Sequence, residues 1–263
     1  MIPEDTQNPG RCMEPLQLAG QIIMENGGET FRAEETICRM GEGLGLHEVE
    51  SFAVPSGLFI SYRAEGEQLE TGIKRVHRQS TNLTRVDEVN RVSRQVSAGK
   101  MSAQDALTRL RDIARMKGPM AGGLSILSAA VCAGGFALLF GGWLPEVGVS
   151  AVVAAIVQAF SLLLLRFHSR GIATNILGGL LTAMLPHLAA RLCPGLITEA
   201  VIAGALMPLV PGIAMTNAVQ DTMRGDMVSG LSHGVEALLT ACMIAGGALL
   251  SPPLLRLLEG GGF

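Results

Sequence analysis

The sequence predicts an α+β N-terminal domain over residues 1–118, followed by an all-α polytopic membrane domain over residues 119–263 with about five transmembrane helices. Two observations carry this. Residues 1–118 hold 15 of the 20 Lys+Arg and 17 of the 23 Asp+Glu, leaving only 5 and 6 for the rest of the chain. A globular protein spreads charge over its surface, so a half almost free of it faces something other than water. That half also contains five uncharged runs, 118–145, 147–165, 171–190, 200–220 and 237–255, each of 19 residues or more. At a rise of about 1.5 Å per residue, each is long enough to cross a hydrocarbon layer of about 30 Å.

In the polar half, Leu16, Ala19, Ile22 and Ile23 recur at helical spacing, and Gly27-Gly28 ends that helix. A second helix starts near Thr30, carries Phe31, Ile37, Cys38 and Met40, and stops between Gly41 and Gly45. The period then changes. Val49, Phe52 and Val54, then Leu58, Ile60 and Tyr62, predict two strands around a Pro55-Ser56-Gly57 turn, and Gly72 to His77 predicts a third. Thr84-Arg-Val-Asp87 and Ser102-Ala-Gln-Asp105 have capping-box spacing and open two more helices, with Gly99 between them.

Loop charges orient the apolar half. Arg109, Arg111, Arg115 and Lys117 precede the first run, Arg166 and Arg170 lie between the second and third, and Arg224 follows the fourth. The opposite loops offer Arg191 and Arg256. The excess of cationic residues on the cytosolic side then predicts a cytosolic N-terminus and an external C-terminus. Met1 to Met13 is polar and lacks an apolar core, so no cleaved leader is expected.

Several function classes recede on residue grounds. A formal net charge of −3 supplies no basic footprint for nucleic acid. Cys12, Cys38, Cys132, Cys193 and Cys242 are far apart and form no metal-ligand pattern, so they read as structural, with no metal or cofactor implied. No phosphate-binding lysine loop, nucleophile elbow or zinc-protease motif is present. Any energy coupling must then come from an ion gradient or a partner.

Chemistry concentrates in the fourth and fifth runs. Pro208, Pro211 and Gly212 prevent one unbroken helix, because proline removes a backbone donor and clashes with the preceding turn. Freed carbonyls at membrane depth are tolerated only where protein or a water-filled cavity covers them, and broken helices present such groups to substrates and ions. Thr216, Asn217 and Asp221 follow directly, the last two one turn apart on one face. On the fifth span, in the turns leading into the fifth run, Ser229, Ser232, His233, Glu236 and Thr240 form one stripe. A carboxylate such as Glu236 in an apolar stretch must pair, take a proton or face water, and His233 one turn away can share that proton. Gln158, Ser161, Thr174, Asn175, Thr182 and Glu199 are secondary polar positions, and polar residues there often serve as packing contacts between helices. Gly122-Gly123, Gly178-Gly179 and Gly246-Gly247 permit close helix approach.

Leu18-Ala-Gly20, Gly27-Gly-Glu-Thr30 with Arg32 and Glu35, Gly43-Leu-Gly45, Val54-Pro55, Asn82-Leu83 with Val86, and Pro211-Gly-Ile-Ala-Met-Thr-Asn-Ala218 with Asp221 and Gly225-Asp226 together resemble the threonine/serine exporter (ThrE) family. The pattern covers about residues 15 to 255 and is most like the family's split, YjjP-like members. The resemblance implies a cytosolic domain fused to a membrane domain. It also implies export of threonine and serine or, for the split pair, of succinate. It further implies that a second small membrane subunit supplies the half that single-chain members carry. Polar and glycine stripes beyond what one small bundle covers point the same way, to an oligomer in the lipid bilayer.

Three readings follow. The first is a subunit of a secondary exporter of small carboxylates, coupled to the proton gradient, with Pro211, Gly212, Thr216, Asn217, Asp221, His233 and Glu236 as the substrate and ion path. The second is a membrane-embedded enzyme using His233, Glu236 and Asp221 as acid–base groups. The third is a structural or sensory component. Cellular efflux and metabolite retention separate them, since only the enzyme predicts a missing chemical product.

Overall fold

The computed structural model describes residues 10–77, 81–116, 122–166 and 171–258. Lys117, Arg170, the domain boundary at Gly118 and the chain end at Phe263 lie outside them. In chain order the first elements are α1 (Gly10–Glu25), α2 (Thr30–Gly43), β1 (His47–Val54), β2 (Gly57–Arg63), β3 (Leu69–Arg75), α3 (Leu83–Ser97) and α4 (Ala103–Arg115). There follow α5 (Gly122–Leu139), α6 (Leu144–Arg166), α7 (Ile172–Leu192), α8 (Thr198–Leu206), a 3₁₀ turn (Met207–Leu209), α9 (Gly212–Met223), α10 (Met227–Leu249) and α11 (Ser251–Leu258). The chain divides into two compact units, one of Met1–Pro119 with Ile213–Val235, the other of Met120–Gly212 with Glu236–Phe263.

The first unit holds an antiparallel meander in the order β1-β2-β3. Strand alternation decides its faces. Leu58, Ile60 and Tyr62 of β2 turn inward and are buried against Leu16, Ile23, Ile37 and Met40 of α1 and α2. Their neighbours Phe52, Phe59 and Ile73 lie in one cross-strand row on the other face, and all three are exposed. β3 starts at Leu69, earlier than the expected Gly72, because pairing runs the full length of β2 to Arg63. The cap of α3 also differs from expectation. Asn82, not Thr84, accepts from the backbone N–H of Arg85, and its own N–H is tied to Asn26 O at 3.0 Å. Ser102 does cap α4, accepting from Asp105 N.

Four helical stretches among the described residues are long and apolar enough to span a membrane: Gly122–Leu139, Leu144–Leu164, Ile172–Leu192 and Met227–Leu257. Thr198–Leu209 and Gly212–Met223 make a fifth only as a bent pair, deflected by 62° at the break. Pro208 and Pro211 explain it, since neither can donate to a continuing helix. Within each of the four windows only 22–28% of residues are buried inside the chain. Leu127, Val131, Leu138, Val152, Leu231 and Leu238 remain exposed, a surface suited to lipid tails rather than water.

Small residues and local polar pairs join the helices of the second unit. A Cβ on Gly179 would overlap Ile244 O, and one on Gly247 would overlap Ile176 O, so α7 and α10 cross backbone to backbone there. Gly123 and Gly246, by contrast, meet open space and carry no such contact. Ser150 donates to Ala133 O at 3.1 Å, and Gln158 Nε2 to Ser125 Oγ at 2.8 Å. Glu146 accepts from Trp143 N as a capping-box residue and from Ile197 N at 3.0 Å, tying two loops at one end of the unit. The crossing predicts that Gly247→Ala lowers thermal stability in detergent by about 1–3 kcal/mol, the cost of forcing packed backbones apart. Gly246→Ala, facing open space, serves as the neutral comparison. Equal melting of the two variants would contradict the crossing.

Candidate functional site

The polar residues that come together all lie in the first unit. α1 ends at Glu25, and Gly28 N–H closes the turn on Ile23 O at 2.9 Å before α2 begins at Thr30. Glu29, the residue before α2, makes no side-chain cap, so the first turn of α2 presents the positive end of its dipole without a cap from that residue. The Thr30 hydroxyl donates to Asp221 Oδ1 at 2.9 Å. Asp221 Oδ2 lies 3.0 Å from His233 Nδ1, so with an ionised carboxylate the ring proton sits on Nδ1. Asn217, one turn before Asp221 on α9, donates from Nδ2 to Gly27 O at 3.4 Å. Thr30, Asp221, Asn217 and His233 are 0%, 1%, 4% and 6% exposed. A buried carboxyl group of this kind is tolerated because each oxygen has a hydrogen-bond partner.

The sequence of the α9–α10 junction sets up the geometry. Gly225, at φ +90°, takes the left-handed position after α9, and Asp226 N–H returns to Asp221 O at 3.0 Å. Asp226 then accepts from Ser229 N at 3.0 Å and caps α10. The turn brings Asp226 Oδ2 within 3.4 Å of Thr30 Oγ1. One hydroxyl carries one proton, and the shorter contact assigns it to Asp221.

Glu34 stands one turn along α2. Its Oε1 accepts from Ala53 N at 2.7 Å. Burial, reinforced by the negative charges of Asp226 and Asp221, holds its pKa above the ordinary glutamate value. The sign follows from linkage: the folded state keeps this proton to higher pH than the unfolded chain. The stability it contributes is therefore complete below the ordinary value and lost as pH rises through the raised one. Glu34→Gln keeps an acceptor for Ala53 and removes the penalty. Thermal unfolding between about pH 4 and about pH 8 should show the variant gaining on the unmodified protein as pH rises. Parallel profiles would contradict the assignment.

Among the expected residues, the structure therefore groups Asn217, Asp221 and His233. Pro211 is half-buried and Gly212 exposed at the start of α9, and Thr216 is exposed one position before Asn217. Glu236 is exposed on α10, and the partner found for the His233 ring is Asp221. Gln158 packs α6 to α5, and Asn175 is half-buried on α7. Thr30, Glu34 and Asp226 were missed as site residues. Their signal was the uncapped start of α2 after a double glycine, and the acid one residue beyond Gly225. Among the described residues no group of three or more His, Cys, Asp or Glu side chains is placed to hold a metal ion.

Several apolar helices of spanning length, joined to a small α+β unit, define a multi-pass membrane protein. The threonine/serine exporter (ThrE) family model matches residues 16–254, and the chain belongs to that family. It is 27% identical over 233 residues to a Mycobacterium tuberculosis (H37Rv) protein named "Probable threonine/serine exporter", covering 88% of this chain but 44% of the relative. It is 25% identical over 228 residues to a Klebsiella aerogenes protein named "Probable succinate transporter subunit YjjP", covering 85% and 86% of the two chains. The Escherichia coli K12 protein of the same name is 22% identical over 237 residues, covering 86% and 88%. The chain thus spans less than half of the mycobacterial relative and most of the other two. No solved structure matches it.

Proposed function

We propose that this chain is a subunit of a secondary exporter that moves small carboxylate metabolites, succinate or threonine and serine, out of the cytosol at the expense of the proton gradient. The observation that carries the reading is the buried Asp221–His233 pair held by Thr30 immediately after a broken span. An ionised Asp221 accepts two hydrogen bonds here. Protonation at Oδ2 turns an acceptor into a donor, so the His233 contact must reverse. Nδ1 gives up its proton to Asp221 and Nε2 takes another, which is a relay by tautomer exchange. Each turnover then moves a proton and alters the hold of α2 on α9. The break at Pro208–Pro211, the start of α9 at Gly212, and Thr216 supply backbone and hydroxyl groups suited to a carboxylate. Glu236 is a second proton-binding position on α10.

The names of the Klebsiella and Escherichia relatives support a separate partner subunit in the membrane, which this chain requires for transport. The proposed topology is N-terminus in the cytosol and C-terminus outside. The test is efflux in cells that lack the protein and its partner. Restoring both together should restore concentrative efflux, and this chain alone should not. A fusion after Phe263 should activate a reporter that works only outside the cytosol, while one at Gly118 stays silent. Full efflux from this chain alone in liposomes would overturn the subunit reading, and a reversed reporter pattern would overturn the topology.

A further inference from the structure

Between α2 and α3 lies a surface cavity of about 340 Å³ whose walls include Arg32 and Arg39 from α2 and Arg94 from α3, with Glu35 and Asp87 as the acids and Phe31 as the aromatic residue. The volume is that of a pocket for a small metabolite. Arg32 and Arg39 are seven residues apart, two helical turns, so they stand on one face with their bases about 10 Å apart. Arg32 is oriented by Glu29, with Nε 2.7 Å from Oε2, and Arg39 by Glu35. Arg94 Nε donates to Asn90 O at 3.3 Å. Each guanidinium group is thus positioned by a single neighbouring residue, Arg32 through two contacts to Glu29 and the other two through one contact each, while each carries five N–H donors.

Stability does not call for this arrangement. A pair as exposed as Arg39–Glu35 contributes about 0–1 kcal/mol, and three like charges around one hollow repel one another. The lining sums to one net positive charge, three arginines against two acids. Several guanidinium forks around one hollow match planar oxyanions held a few bonds apart. We propose that this pocket binds a small anion carrying two or more carboxylates, at a site separate from Asp221. Occupancy also bears on the rest of the unit. Phe31 lines the pocket, its ring carries the Arg224 guanidinium 3.4 Å from the centroid, and its chain neighbour Thr30 holds Asp221. A bound polycarboxylate therefore acts on the first turn of α2, the turn that grips α9.

The experiment is calorimetric titration of the purified full chain in detergent with citrate, succinate, threonine and inorganic phosphate. Citrate and succinate should bind saturably, with threonine and phosphate at least about tenfold weaker. Arg39→Gln and Arg94→Gln should each weaken citrate by about tenfold or more, and Arg39→Lys, which keeps charge and fold but loses the fork, by less. Asp221→Asn should weaken citrate binding less than either arginine variant to Gln does, because the change lies outside the pocket and acts on it only through the first turn of α2. Three results would overturn the proposal: no saturable citrate binding, phosphate binding as tight as citrate, or loss in Asp221→Asn with retention in the arginine variants.

Discussion

Asp221→Asn should insert and fold normally yet lose concentrative export by more than about tenfold under a proton gradient. Asparagine keeps the Oδ1 acceptor for Thr30, so the bond of 2.9 Å survives. Its amide nitrogen replaces the oxygen that faces His233, and the ring can accept instead by switching tautomer. The structural cost is then about 1 kcal/mol or less. What disappears is the group that takes and releases a proton. Glu236→Gln provides the second test of the same relay, and at least one of the two variants should lose concentrative efflux. His233→Ala is expected to be more damaging to folding than either, since it strips a buried carboxylate of one partner. Efflux from both carboxamide variants at the unmodified rate, measured with a labelled carboxylate and an imposed proton gradient, would remove these residues from the proton path.

Thr30→Val carries the second large effect, and it reaches the membrane helices through a residue of the polar N-terminal segment. Valine matches the shape of threonine and removes only the donor. Asp221 Oδ1, 1% exposed as a residue, is then left without the hydroxyl that satisfies it. An unsatisfied buried acceptor costs about 1–3 kcal/mol, more for a charged one. In a chain of this size each kcal/mol lowers the unfolding midpoint by about 2–4 °C. Export should fall with it, because α2 no longer holds α9. Thr30→Ser restores the hydroxyl and should restore both readouts. A valine variant that melts and exports like the unmodified protein would show that the hydroxyl does not hold Asp221.

Much of the architecture was legible because it follows from one-dimensional patterns. Charge-free runs mark the spanning helices, and the change from a period near 3.6 to a period of two marks the meander. Pro208 and Pro211 mark the break in the fourth run. The cap of α3 was not legible, because Thr84 has the right spacing but Asn82 is fixed by a backbone bond to Asn26. The site was legible by halves. Asn217, Asp221 and His233 announced themselves as polar residues in apolar surroundings, where desolvation demands a reason for their presence. Their partner Thr30 did not, because a hydroxyl at a helix start in a polar segment costs nothing by itself. Its significance comes from a contact 191 positions away in sequence, which no local pattern encodes.

The union of Ile213–Val235 with the N-terminal segment in one compact unit has a consequence for how such a gene can be cut or evolve. Hydropathy invites a division near residue 118, yet a fragment ending there would leave Thr30 and the uncapped start of α2 facing no carboxylate. A polypeptide that instead began at residue 119 would insert Asp221 and His233 with only each other for company. Separation anywhere between residues 119 and 213 therefore yields two products that must recombine before either is fully satisfied. Gene fission in this interval is costly. Soluble expression of the polar segment alone is accordingly expected to give an aggregating product.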